Sequence, residues 1–170
     1  MQFINKYINH RLCNYLHYMN KTNIAKIGVG GGKQISGIYR SGNLLNHNFN
    51  EYADFIDYNY YSANKNNLNI NNNFFLEHRD YYQSKNDNPF VGKLHMDQME
   101  DTFKSCYTFI YYYKISPSII GGELEFENKE IYKPIEFDLI CFDGDYKHKI
   151  NNLSGEGIRG TLIMNIEKII

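Results

Sequence analysis

Tryptophan is absent from this chain of 170 residues, cysteine occurs only three times, and neither sign of charge prevails, 18 Lys and Arg standing against 19 Asp and Glu for a formal net charge of -1. Balanced charge removes the basic face through which a protein grips nucleic acid or an anionic membrane. Cys13, Cys106 and Cys141 are odd in number, far apart and without a C-x-x-C pair. That predicts free thiols in a reduced, intracellular setting rather than a disulfide scaffold. The first residues, Met1-Gln2-Phe3-Ile4-Asn5-Lys6, lack the apolar centre of a signal peptide, and no apolar run approaches the length of a transmembrane helix. The expectation is a soluble, cytoplasmic protein without a membrane partner.

Tyrosine (16) and phenylalanine (11) are abundant, and Asn, Ile and Lys are heavily used. The bias matches the codons of an A+T-rich genome and is read first as background. Its β-branched and aromatic richness nevertheless favours strands. The length suits one domain with a real core. We divide it into a supporting part, 1–90, and a part that holds the chemistry, 91–170.

Apolar residues recur at three- and four-residue spacing from Phe3 to Met19 and again from Phe49 to Tyr61, predicting two amphipathic helices. Between them, Ile24 to Val29 and Gln34 to Tyr39 read as strands separated by Gly28-Val29-Gly30-Gly31-Gly32. Those glycines are not a phosphate cradle, because Lys33 is not followed by Ser or Thr and no clear helix opens there. Asn64 to Asn73 reads as a polar surface loop, Phe74 to Tyr82 as a strand, and Gln83 to Pro89 as a loop. After His95 come short strands: Ser105 to Ile115, Glu123 to Glu127, Phe137 to Phe142 and Ile158 to Ile166. Helices followed by a run of strands predict a mostly β sandwich or barrel with helices packed on one face.

The chemistry gathers between His95 and Thr161. On extended backbone, positions i and i+2 point the same way, so His95 and Asp97 can hold one ion together. His148 is the candidate third ligand. Two imidazoles and one carboxylate leave three coordination positions open, as in non-haem Fe(II) oxygenases. H-x-D alone is weak evidence, and His78-Arg79-Asp80 is a second example in the same chain. That pair sits inside an aromatic strand pattern that runs on into Tyr81-Tyr82, so His78 and Asp80 are read as surface or sheet-face residues.

The order of motifs after His95 is more specific than any one of them. Thr108 and Tyr112 follow on a strand, then Gly121-Gly122-Glu123-Leu124-Glu125-Phe126. A hydrophobic strand, Leu139-Ile140-Cys141-Phe142, leads to His148, and Arg159-Gly160-Thr161 closes the series. This segment resembles the catalytic core of the Fe(II)- and 2-oxoglutarate-dependent dioxygenases, in particular the prolyl 4-hydroxylase-like branch. The resemblance implies a double-stranded β-helix (jelly roll) with N-terminal helices packed on one sheet. It implies Fe(II) on His95, Asp97 and His148, with 2-oxoglutarate and O2 as co-substrates and ascorbate as an accessory reductant. Arg159, whose planar fork suits a carboxylate, would bind the far end of 2-oxoglutarate, helped by Thr161, Tyr112, Thr108 and Leu124. A tyrosine ahead of the H-x-D normally assists, and here Tyr81 and Tyr82 compete for that place.

The implied reaction is hydroxylation of a C–H bond, most simply on a prolyl or other side chain of a protein or peptide. A free amino acid or small metabolite is an alternative. Methylated nucleic acid is disfavoured by the charge balance and by the lack of a second Arg after Arg159. A non-catalytic jelly-roll module would need neither the triad nor Arg159. Oligomeric state is not legible.

Overall fold

The computed structural model of the chain describes residues 1–22, 34–38, 51–85, 88–97 and 103–170. The strand expected at Ile24–Val29, the glycine turn after it and the start of the second helix at Phe49 lie outside these residues.

Alternating side chains build the main layer. In β4 (Cys106–Ile115), Phe109, Tyr111 and Tyr113 enter one apolar cluster while Ile110 and Tyr112 enter another. β8 (Asp138–Asp143) divides the same way, Leu139 and Cys141 against Ile140 and Phe142. In β11 (Gly157–Lys168), Leu162, Met164 and Ile166 join the first cluster and Ile163 packs on the second. A sheet apolar on both faces must be covered on both, here by helices on one side and a second layer of strands on the other.

With β1 (Phe3–Lys6), β2 (Gln34–Ile38) and β3 (Ile70–Gln83), these strands form a six-stranded sheet in the order β1-β8-β4-β11-β3-β2, every pairing antiparallel. On its outer face, α1 (His10–Thr22) and α2 (Ala53–Lys65) lay Leu12, Leu16, Phe55 and Ile56 against Tyr111, Leu162 and Met164. Each such fully buried Leu, Ile or Phe contributes about 1.5–3 kcal/mol. The inner face is covered by β6 (Leu124–Phe126), paired with β7 (Ile131–Tyr132) and β9 (His148–Ile150), and by the pair β5 (Ile119–Gly121) and β10 (Leu153–Gly155). The segment 88–97 joins this layer through isolated bridges, Phe90 to Leu153 and His95 to His148. The result is a jelly-roll core, mostly β, with the N-terminal helices on one sheet. No described helix is long and apolar enough to cross a membrane.

Two local expectations differ from the fold. The helix predicted from Phe3 begins only at His10, and residues 3–6 are an edge strand on β8, with Ile4 opposite Ile140. Phe3 and Tyr7, four apart, fit both the helical and the strand period, and the open edge of β8 decides between them. Asn9 then starts the helix, its side-chain oxygen accepting from the Leu12 amide at 2.9 Å. The Asn-rich stretch is not all loop either, because β3 starts at Ile70. Asn71 and Asn73, two apart and so on one face, both donate to the Glu167 carboxylate on β11. Their strand is specified by its partner against their own propensity.

Candidate active site

His95 and His148 are directly paired across two chain segments, each amide donating to the other's carbonyl at 2.9 and 2.8 Å. Both rings are anchored at Nδ1, on the Lys93 carbonyl at 2.8 Å for His95 and on the Tyr146 carbonyl at 3.0 Å for His148. A carbonyl can only accept, so Nδ1 bears the proton and, on the neutral ring, each Nε2 presents a lone pair. Both Nε2 atoms face Asp97, at 3.6 Å from Oδ1 for His95 and 3.4 Å from Oδ2 for His148. One ligand atom from each residue lies within 4.8 Å of the others. Two ligands about 2.1 Å from one ion at near right angles stand about 3 Å apart, so a small contraction suffices for these three residues to close on a cation.

Asp97 is held from behind. Thr108 donates its hydroxyl to Oδ2 at 2.7 Å and accepts from the Asn165 amide at 2.9 Å, while the Asp97 amide donates to the Gly144 carbonyl at 3.0 Å. Burial opposes ionisation of Asp97, but His148, when its Nε2 is protonated as well, and the Thr108 hydroxyl outweigh it and lower the carboxyl pKa. Thr108 was expected beside the co-substrate. It instead orients the carboxylate and does not line the cavity. Gly144 is required here, since a Cβ would lie 2.7 Å from both Thr108 Oγ1 and Cys106 Sγ.

The cavity beside the triad runs between the sheets to Arg159 on β11, and Leu124, Ile110 and Ile163 give it apolar walls. Arg159 is only 2 % exposed. Its Nε donates to the Gly122 carbonyl at 3.2 Å and its Nη2 to the Tyr112 hydroxyl at 3.3 Å. Its guanidinium carbon lies 5.0 Å from the Tyr112 ring centre and 5.6 Å from that of Tyr81. None of these partners is anionic, and no carboxylate among the described residues pairs with Arg159. A buried cation contacted only by neutral groups retains most of its desolvation cost until an anion reaches it. Gly122, with φ at +77°, makes the approach possible, because a Cβ there would stand 3.2 Å from Arg159 Cδ and 2.6 Å from Leu153 Cδ1.

Leu124 lines the cavity, and Tyr112 meets it through Arg159, whose Nη2 donates to the Tyr112 hydroxyl. Thr161 also lines the cavity, but its hydroxyl donates to the Arg79 carbonyl and its donor is spent there. Of the two competing tyrosines, Tyr81 lines the cavity, with its ring 4.8 Å from that of Phe90. The side chain of Tyr82 lies outside the described residues. Sequence reasoning missed Arg79, which shares Tyr81's face of β3, reaches the cavity and forms a two-point pair with Glu77 at 3.2 and 2.7 Å. Its only signal was position, two residues before Tyr81.

Of the two readings offered for His78 and Asp80, surface or sheet face, the structure has the second. They occupy the opposite face of β3 and are not surface residues, being 6 % and 7 % exposed. His78 Nε2 lies 2.8 Å from Asp80 Oδ2, which also accepts from the Tyr113 hydroxyl at 2.7 Å. A buried carboxylate needs such partners. The second H-x-D therefore belongs to the helix-side layer, on the other face of the sheet from the cavity that His95, Asp97 and His148 line.

No protein-family profile matches the sequence, and no curated protein sequence matches it either. Comparison of the fold does find relatives. A prolyl-4-hydroxylase from Pseudomonas putida superimposes with a TM-score of 0.62 at 15% identity, over 99% of this chain and 92% of its own. The viral collagen prolyl hydroxylase of Paramecium Bursaria Chlorella virus-1, solved as its 2OG complex, gives 0.55 at 15% identity, over 96% and 94%. A prolyl hydroxylase from Trichoplax adhaerens, in complex with a hypoxia inducible factor peptide fragment, gives 0.59 at 14% identity, over 98% and 83%. With the jelly roll complete and covered on both faces, the chain has the fold of the prolyl 4-hydroxylase-like 2-oxoglutarate- and Fe(II)-dependent oxygenases.

Proposed function

We propose that the protein is a 2-oxoglutarate- and Fe(II)-dependent dioxygenase that hydroxylates a C–H bond, with a prolyl or other side chain of a protein or peptide as substrate. The observation behind this reading is the pairing, within one cavity, of a His–Asp–His donor set with a buried arginine that has no anionic partner among the described residues. A binding scaffold has no use for both. His95, Asp97 and His148 would hold the metal, and Arg159 would take the distal carboxylate of the co-substrate. When bound, Fe(II) with 2-oxoglutarate supplies the activation of O2, coupled to loss of CO2 and formation of succinate.

The chain's own contribution is orientation and exclusion of water. The backbone anchors at both Nδ1 atoms fix the imidazole planes, and Thr108 fixes the carboxylate. Leu124, Ile110 and Ile163 keep the interior apolar, which strengthens the pull of Arg159 on a carboxylate. His95 is the open side of the set, its side chain 45% exposed against 4% for His148, so substrate approaches over His95. The prolyl assignment draws on the relatives' chemistry. Balanced net charge argues against nucleic acid.

Anaerobic titration of the protein with Fe(II) and 2-oxoglutarate tests the reading, and a weak visible charge-transfer band is expected. Succinate release, measured with and without ascorbate, should then rise with proline-containing peptides more than with free amino acids or methylated oligonucleotides. Absence of the band and of succinate under all these conditions overturns the proposal. Succinate release with a free amino acid alone would replace the peptide substrate with a small one.

A further inference from the structure

The second H-x-D motif, which the metal site does not use, lies directly behind the co-substrate pocket. Between Thr161 and Arg159, two steps along β11, β4 advances three, from Tyr112 to Ile115. Tyr113 is the additional residue of this bulge. Its ring crosses over Gly160, where a Cβ would stand 2.5 to 2.8 Å from the ring and hydroxyl, leaving room for no other residue. Beyond Gly160 the Tyr113 hydroxyl reaches Asp80, the residue paired with Gly160 on β3, at 2.7 Å. Asp80 also holds His78 at 2.8 Å and accepts from the Thr161 amide at 3.3 Å. One carboxylate thus ties together three strands at the residue between Arg159 and Thr161.

The geometry points to Asp80 and Tyr113 as positioning residues for the co-substrate carboxylate pocket, a role that rests on the reading of Arg159 given above. Without the bulge, Arg159 would oppose Lys114 in place of Ile115, and its spacing from Tyr112, whose hydroxyl it meets at 3.3 Å, would change. Bulges re-aim side chains in this way, and one beside a ligand site is a specified feature of the strand. The clamp touches neither His95, Asp97 nor His148, so it should govern the co-substrate and leave the metal alone.

Tyr113→Phe removes the hydroxyl and keeps the ring over Gly160. Tyr111→Phe is the matched control, since Tyr111 is equally buried on the same face of β4 and spends its hydroxyl on Cys13 Sγ at 3.1 Å. Calorimetry on protein loaded with Mn(II), a redox-silent substitute, measures metal affinity and then 2-oxoglutarate affinity for each. Tyr113→Phe and Asp80→Asn should weaken 2-oxoglutarate binding about tenfold, the scale of one well-placed hydrogen bond, with Mn(II) affinity within about twofold of the parent. Tyr111→Phe should lose comparable thermal stability and retain 2-oxoglutarate affinity. Unchanged 2-oxoglutarate affinity in Tyr113→Phe, or an equal loss in Tyr111→Phe, overturns the positioning role while leaving the co-substrate reading intact. Failure of the Mn(II)-loaded parent to bind 2-oxoglutarate overturns both.

Discussion

Arg159 shows how a single residue can point to a missing partner. Its neighbours are a carbonyl, a phenol and two aromatic faces, all of which tolerate a cation without neutralising it. Two charge-assisted hydrogen bonds at about 1.5–3 kcal/mol each put the loss of 2-oxoglutarate affinity in Arg159→Ala at about a hundredfold or more. Arg159→Lys should recover only part of it, because an ammonium cannot reproduce the fork. Calorimetry of the Mn(II)-loaded variants checks both, and metal affinity should stay near that of the parent. Thr108→Val, by contrast, frees the Asp97 carboxylate and should cost about tenfold in metal affinity, with a smaller effect on 2-oxoglutarate once metal is saturating. The two H-x-D motifs separate cleanly by metal analysis. His148→Ala should lose the ion, whereas His78→Ala should keep its stoichiometry.

Among elements, β3 and β11 hold most of what the sequence concealed. That His95, Asp97, His148 and Arg159 would gather around one cavity was legible, because the order and spacing of their motifs fit a pattern that few other chemistries require. Arg79 was not, since an arginine within an H-x-D has no signature until strand direction is known. Thr108 lies on the strand expected of it and its hydroxyl meets Asp97, a partner that the sequence does not show because which group a hydroxyl meets is decided by the packing of distant segments. Phe3–Lys6 and Asn71–Asn73 became strands through edges and acceptors supplied from elsewhere in the chain, to which local periodicity is blind. The Asn71 and Asn73 amides lower the Glu167 pKa below its ordinary 4.5. A carboxyl depressed in the folded state contributes stability fully present above about pH 4.5 and lost as pH falls through its lowered value. Denaturant unfolding of the parent and of Glu167→Gln should therefore differ at neutral pH and converge in acid. A gap that persists at pH 2 would mean that Glu167 acts by packing alone.

For the whole molecule, ligand binding and folding are linked. The proposed metal ligands come from segment 88–97 and from β9, which meet only in the folded chain, so an ion at about 100 times its Kd should stabilise by about 2.7 kcal/mol. At roughly 2–4 °C per kcal/mol for a domain of this size, thermal unfolding should shift upward by roughly 5–10 °C on adding Mn(II), and back with a chelator. No shift would show that the three side chains do not act as a set. The reciprocal backbone pair between His95 and His148 has a further consequence. Because the two ligands face each other across one hydrogen-bonded step, their separation is set by peptide geometry and is independent of how much chain runs between them. Turns such as Asn128–Lys129, far along that intervening path, are free to lengthen, shorten or change composition while the ligand geometry holds. An architecture built this way tolerates wide change of sequence, consistent with a chain that shares its fold with structures only about 15% identical to it.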